Sequence, residues 1–103
     1  METINFSYNW NNKLNCRCFT TLRASIKNKY VGDTIGITLK NEQIAKGKII
    51  AIYEVMMFDL KEVTCRLDTG YSRSETIKII QKMYNLPEGV NKLLYLILIE
   101  KID

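Results

Sequence analysis

The residues best equipped for chemistry stand together in one short stretch, CRCFTTLRAS, residues 16–25. If this stretch is a strand, side chains alternate between its two faces. Arg17, Phe19, Thr21 and Arg23 then share one face, and Cys18, Thr20 and Leu22 share the other. Two guanidinium forks, a hydroxyl and an aromatic ring on one face suit a phosphate, a base edge and a stacked base. The plainer alternative pairs an arginine with Asp33 or Glu54 and sends Phe19 into the core.

Two further groups could join that face. Lys27, Lys29 and Tyr30 flank a Gly32-Asp33 turn. A basic loop beside a pocket would steer an anion inward, although a solvated loop reads equally well. Asp33 is expected to hydrogen-bond within its own turn. Asp68, Thr69, Gly70 and Tyr71 run into a helix start at Ser72. Asp68 there suits a proton acceptor or a partner for an exocyclic amine. Tyr71 suits stacking or a hydrophobic staple. Trp10, the only tryptophan, is either a stacking platform or a plug at the end of a barrel.

The composition removes several chemistries. The chain has no histidine, hence no imidazole base, switch or zinc ligand. Cys16, Cys18 and Cys65 are spaced wrongly for a four-cysteine metal site, and the expectation is reduced thiols packed as small apolar residues. No metal and no cofactor are expected. Fifteen Lys and Arg against eleven Asp and Glu, a net +4, lean towards an anionic partner. The longest apolar run, LLYLILI at 93–99, falls far short of the roughly 20 residues of a membrane helix. METINFSYNW lacks the basic and apolar regions of a secretory leader, so a cytoplasmic protein with no membrane contact is expected.

The elements that must hold these residues belong to one domain, 1–103. Strands are expected at 2–8, 16–24, 35–40, 45–58 and 91–102, the last the most apolar and therefore central or buried on both faces. WNNKLN, 10–15, reads as a turn or irregular piece, and Gly47 as a bulge or a close backbone approach. A helical turn or two fits 59–68, ended by Gly70. The main helix, about 72–85, opens on a capping box from Ser72 to Glu75. It stops at Leu86-Pro87-Glu88-Gly89. Ile77, Ile80, Met83 and Tyr84 form its apolar stripe. Five or six strands and one main helix in this order imply an α+β fold, a small curved β-barrel with a helix over one end.

The order FTTLR, KYVGDTIGI, IIAIYEV, DLKEV and GYSRSETIKIIQKMY resembles the ASCH domain family, over roughly residues 4–100. The resemblance implies a PUA-like barrel that binds RNA or a nucleotide in a basic pocket. The pocket would be built from Arg17, Thr20, Thr21, Arg23, Lys29 and Tyr71. It also implies, as an alternative, an amidohydrolase of N4-acylated cytidine that works through a Lys, a Thr and a Glu. Thr21 matches the threonine; the lysine position falls on Cys18 or Arg17, and the nearest acid is Asp68. A third reading is a protein-interaction domain of a phage or mobile element, in contact through Trp10 or the apolar 53–58 segment.

Overall fold

The computed structural model describes residues 1–102. Its elements are β1 (Thr3–Phe6), a 3-10 segment (Trp10–Asn15), β2 (Cys18–Arg23), β3 (Thr34–Leu39) and β4 (Glu42–Met56). A short 3-10 turn (Met57–Asp59), α1 (Glu62–Thr69), α2 (Arg73–Met83) and β5 (Leu93–Ile102) follow. The five strands form one mixed sheet in the order β1-β3-β4-β5-β2. β1 runs parallel to β3, and the other neighbours are antiparallel. This is the expected α+β arrangement, a strongly curled sheet with helices at one end.

Curling is visible in the contact between the two edge strands. Phe6 of β1 and Phe19 of β2 lie at opposite edges in hydrogen-bonding order, yet their rings meet edge to face at 5.9 Å. Register shifts at Ile37/Thr38 and Ile49/Ala51 supply part of that curvature, since an extra residue bends a strand and raises its twist. Gly47 lies close to its neighbours rather than at a bulge. A Cβ there would come within 2.7 Å of Ile99 and 2.9 Å of Ile37.

Inside the curl, Ile35, Ile37, Ile49, Ile97 and Ile99 are fully buried together with Ile4, Phe6, Leu14 and Phe19. Each such side chain contributes about 1.5–3 kcal/mol on leaving water. β5 is an interior strand, paired with β4 on one side and the edge strand β2 on the other, with one face buried; the middle place in the sheet belongs to β4. A second apolar cluster joins Met57, Leu60, Cys65, Ile80 and Leu94 where the helices cover the sheet.

The helices are fixed by their ends. Ser72 caps α2, and its hydroxyl accepts from the Glu75 amide at 3.2 Å while the Glu75 carboxylate accepts from the Ser72 amide. Arg73 donates to the carbonyls of Leu60 and Phe58, which ties α2 to the turn before α1. α1 ends at Gly70 in the left-handed region, φ 81°, where glycine carries no Cβ penalty. That missing Cβ also lets Asn11 approach: a Cβ on Gly70 would stand 3.1 Å from Asn11 Oδ1. Asn11 in turn donates to the Leu67 carbonyl. So the 3-10 segment is held against the end of α1.

The cysteines depart from expectation. Cys65 is buried, but Cys16 and Cys18 are exposed, because β2 is an edge strand and nothing covers its start.

Candidate functional site

WNNKLN is ordered by local chemistry. Asn11 and Asn12 both adopt left-handed backbone, φ 56° and 55°, a region asparagine tolerates better than most residues. Asn9 Oδ1 accepts from the Leu14 amide and closes the segment. Leu14 anchors it in the sheet core, and Lys13 beside it is turned under α1, only 6% exposed.

Lys13 meets Asp68 of α1, with Nζ 3.1 Å from Oδ1. Thr20 of β2 donates to the same oxygen at 2.8 Å. Asp68 is 2% exposed, so this is a buried ion pair with a hydroxyl attached. Burial pushes the Lys13 ammonium below its ordinary value; Asp68 pulls it back up and Arg23 pushes it further down. On the opposite face of β2, Arg23 Nε donates to the Thr21 hydroxyl at 3.0 Å. The Arg23 guanidinium lies 4.6 Å from the centre of the Phe6 ring, and Lys13 Nζ lies 5.6 Å from that same ring. Phe6 is thus a shared platform for two cations.

These groups line one cleft of about 100 Å³ between the 3-10 segment, β2 and the two helices. Its walls include Phe6, Trp10, Leu22, Ile80, Met83 and Tyr84, and its polar groups include Lys13, Thr21, Arg23, Asp68 and Thr76, with Asn5, Ser7 and Thr69 also on the lining. Thr69 donates to the Cys65 carbonyl, so in its 2.9 Å contact with Thr76 it is Thr76 that donates. Among the described residues no fully buried side-chain nitrogen or oxygen lacks a partner. Oδ2 of Asp68 and the Nη pair of Arg23 are uncommitted and so keep some access to solvent; Asp68 lines this cleft, and Arg23 lines both this one and a smaller one between β1 and β2. Thr21 accepts from Arg23, which leaves its own hydroxyl proton free to donate.

The candidates from the sequence divide here. Thr21, Arg23 and Asp68 line the cleft, and Thr20 supports Asp68. Arg17 does not join them: it precedes the first residue of β2, is 79% exposed and stands 3.9 Å from Glu100. Lys29 lies outside this cleft and donates to the Lys27 carbonyl. Tyr71 is 42% exposed and leans edge-on against Trp10 at 6.1 Å, and Trp10 also touches Tyr8. The Asp33 carboxylate accepts from the Tyr30 amide within its turn. The residue missed by the sequence is Lys13. Its one signal was the Asn-Asn pair, which marks left-handed backbone but not the partner 55 residues away.

The molecule is thus a curled α+β sheet with a small, mixed-charge cleft under its helices. Compared with family models, curated proteins and solved structures, the chain matches none. Among the described residues no group of three His, Cys, Asp or Glu could hold a metal, and no helix is long and apolar enough to cross a membrane.

Proposed function

We propose that the cleft binds the base of a nucleoside or nucleotide, with a cytosine-like edge the best fit. The observation that carries this is an open acceptor beside an open donor. Asp68, with an uncommitted carboxylate oxygen, lines the same cleft as Thr21, whose hydroxyl proton is free. Cytosine presents an amine donor beside ring-nitrogen and carbonyl acceptors, and carboxylates pair with that amine. Trp10 and Tyr84 supply aromatic wall, and a volume of about 100 Å³ suits one base better than a length of strand. A relation to ASCH domains, which the motif order suggests although no family model matches the chain, would point the same way.

The test is calorimetric titration at low salt with cytidine, uridine and a short RNA. Cytidine is expected to bind best, and Asp68→Asn or Thr21→Ala to weaken it while the protein stays folded. Equal affinity for cytidine and uridine would remove the base-reading role of Asp68.

One observation favours a second reading, hydrolysis of N4-acylated cytidine. The resemblance calls for a lysine near the threonine, and Lys13 brings one to the cleft from outside the strand. A desolvated lysine loses its proton more readily and can then act as a base. Water would add to the acyl carbon with Lys13 taking its proton. The C–N bond would then break, the amine leaving with a proton and the acyl group as carboxylic acid. Incubation with N4-acetylcytidine should then release cytidine and acetate, and Thr21→Ala should stop it. No cytidine after prolonged incubation sinks this reading.

A further inference from the structure

Arg23 is half-buried, yet no carboxylate lies within ion-pair distance of it among the described residues. Its Nε is committed to Thr21 and its plane is set by Phe6. Only the Nη fork is unspent. A guanidinium fixed in this way is a ready receptor for a tetrahedral or planar oxyanion, which it can grip with two parallel bonds.

The fork also marks a junction. Arg23 lines the large cleft and a second, smaller one of about 70 Å³ in the seam between β1 and β2. The second cleft is lined by Asn5, Ser25 and Lys29 as well, and by no acidic residue. Ser25 Oγ accepts from the Lys27 amide, so its hydroxyl proton is free to donate. Lys29 is held at the rim by a carbonyl contact alone. One guanidinium fork, one hydroxyl and one ammonium, with no carboxylate on the lining, make an anion subsite.

We propose that this seam holds a phosphate of the ligand, so that the preferred ligand is a nucleoside monophosphate. Arg23 grips the phosphate, Ser25 donates to it and Lys29 closes over it. This rests on the nucleotide reading of the larger cleft for the base, but not for the phosphate.

The experiment titrates cytidine, cytidine 5′-monophosphate, ribose 5-phosphate and inorganic phosphate into the wild type, Arg23→Gln, Arg23→Lys and Lys29→Ala. Thermal unfolding first confirms that each variant is folded. The monophosphate should bind about ten- to a hundredfold tighter than cytidine, the range for hydrogen bonds to a charged group. Lys29→Ala should lose a few-fold of that gain. Arg23→Gln should lose nearly all of it, and Arg23→Lys should recover only part because it lacks the fork. Should Arg23→Gln fail to fold, the Arg23→Lys and Lys29→Ala results decide. If ribose 5-phosphate binds through Arg23 and cytidine does not bind at all, the base reading fails and the phosphate subsite stands. If cytidine and its monophosphate bind equally, or the gain survives in the Arg23 variants, the subsite is overturned and the base reading is untouched.

Discussion

Two buried regions of this molecule follow opposite rules. In the curl of the sheet, Ile35, Ile37, Ile49, Ile97 and Ile99 are sealed from water with only apolar neighbours to satisfy. A few ångströms away, between that core and the Met57–Leu94 cluster, Lys13, Thr21, Asp68 and Thr76 are almost as deeply buried. Apolar burial stabilises in proportion to area. Burying a lysine and an aspartate costs desolvation that their attraction only partly offsets. The chain therefore gives up stability at the seam that a pair of leucines would have kept. A polar layer placed between two apolar cores, and open to a cleft, is what the proposed nucleotide site would require.

The largest effect should come from unbalancing the Lys13–Asp68 pair. Lys13→Met leaves Asp68 charged and buried with only Thr20 beside it. The expected loss is about 3–5 kcal/mol, the usual effect of removing one partner of a buried pair. Adding Asp68→Leu should restore most of that stability while ligand binding stays lost. Urea unfolding of the wild type, both single variants and the double variant measures the coupling directly. A double variant no more stable than Lys13→Met would show that the pair, and not the isolated charge, stabilises the fold.

The apolar region should behave in the reverse manner. Ile35→Ala opens a cavity in a core with no polar group to rearrange, and should cost about 2–5 kcal/mol. Because Ile35 lines neither cleft, affinity for a ligand should be unchanged in the folded fraction. An affinity that fell in step with stability would mean that the two regions are not separable.

Sequence and structure agree where one element suffices to make the pattern. Alternation in IGITLK and the apolar run LLYLILI mark strands, and Ser72 with Glu75 marks the start of α2, because each signal is written within a few residues. The cleft is written across the chain instead. A period of two puts Arg17 and Arg23 on one face alike. It cannot tell that Arg17 stands before the paired strand while Arg23 folds over Phe6. Nothing within WNNKLN singles out Lys13, since its burial depends on α1, the left-handed Asn11 and Asn12, and the bare backbone of Gly70. Thr20 seemed to face a ligand, whereas it braces Asp68.

A third test uses pH to probe the Lys13–Asp68 pair. Burial lowers the folded-state value for Lys13 below its ordinary 10.5. Between the lowered value and 10.5 the unfolded chain holds the proton and the folded one does not. Stability must then rise with pH across that window. Below the folded value the cost of the buried ammonium is present in full. Unfolding free energies of the wild type, measured from neutral pH to 10.5 relative to the Lys13→Met, Asp68→Leu double variant, should therefore climb. A flat or falling difference would mean that Asp68 compensates the ammonium completely.

The smallest effect belongs to a site far from the seam, the start of α2. Ser72→Ala removes the hydroxyl that accepts from the Glu75 amide, and should cost about 1 kcal/mol, typical of a lost cap. The same hydroxyl donates to the Glu75 carboxylate and holds it below its ordinary value of 4.5. A depressed carboxyl contributes stability above the unfolded value and loses it as pH falls through the folded one. The wild type and Ser72→Ala should thus converge in acid, the opposite pH direction from Lys13. Glu62, lowered mainly by the Arg73 amide, weakens over the same acid range in both proteins and so cancels from their difference. If the difference persisted undiminished in acid, the cap would act through backbone geometry alone. The contrast would then be between a buried charge that pH can release and an exposed turn that pH does not reach.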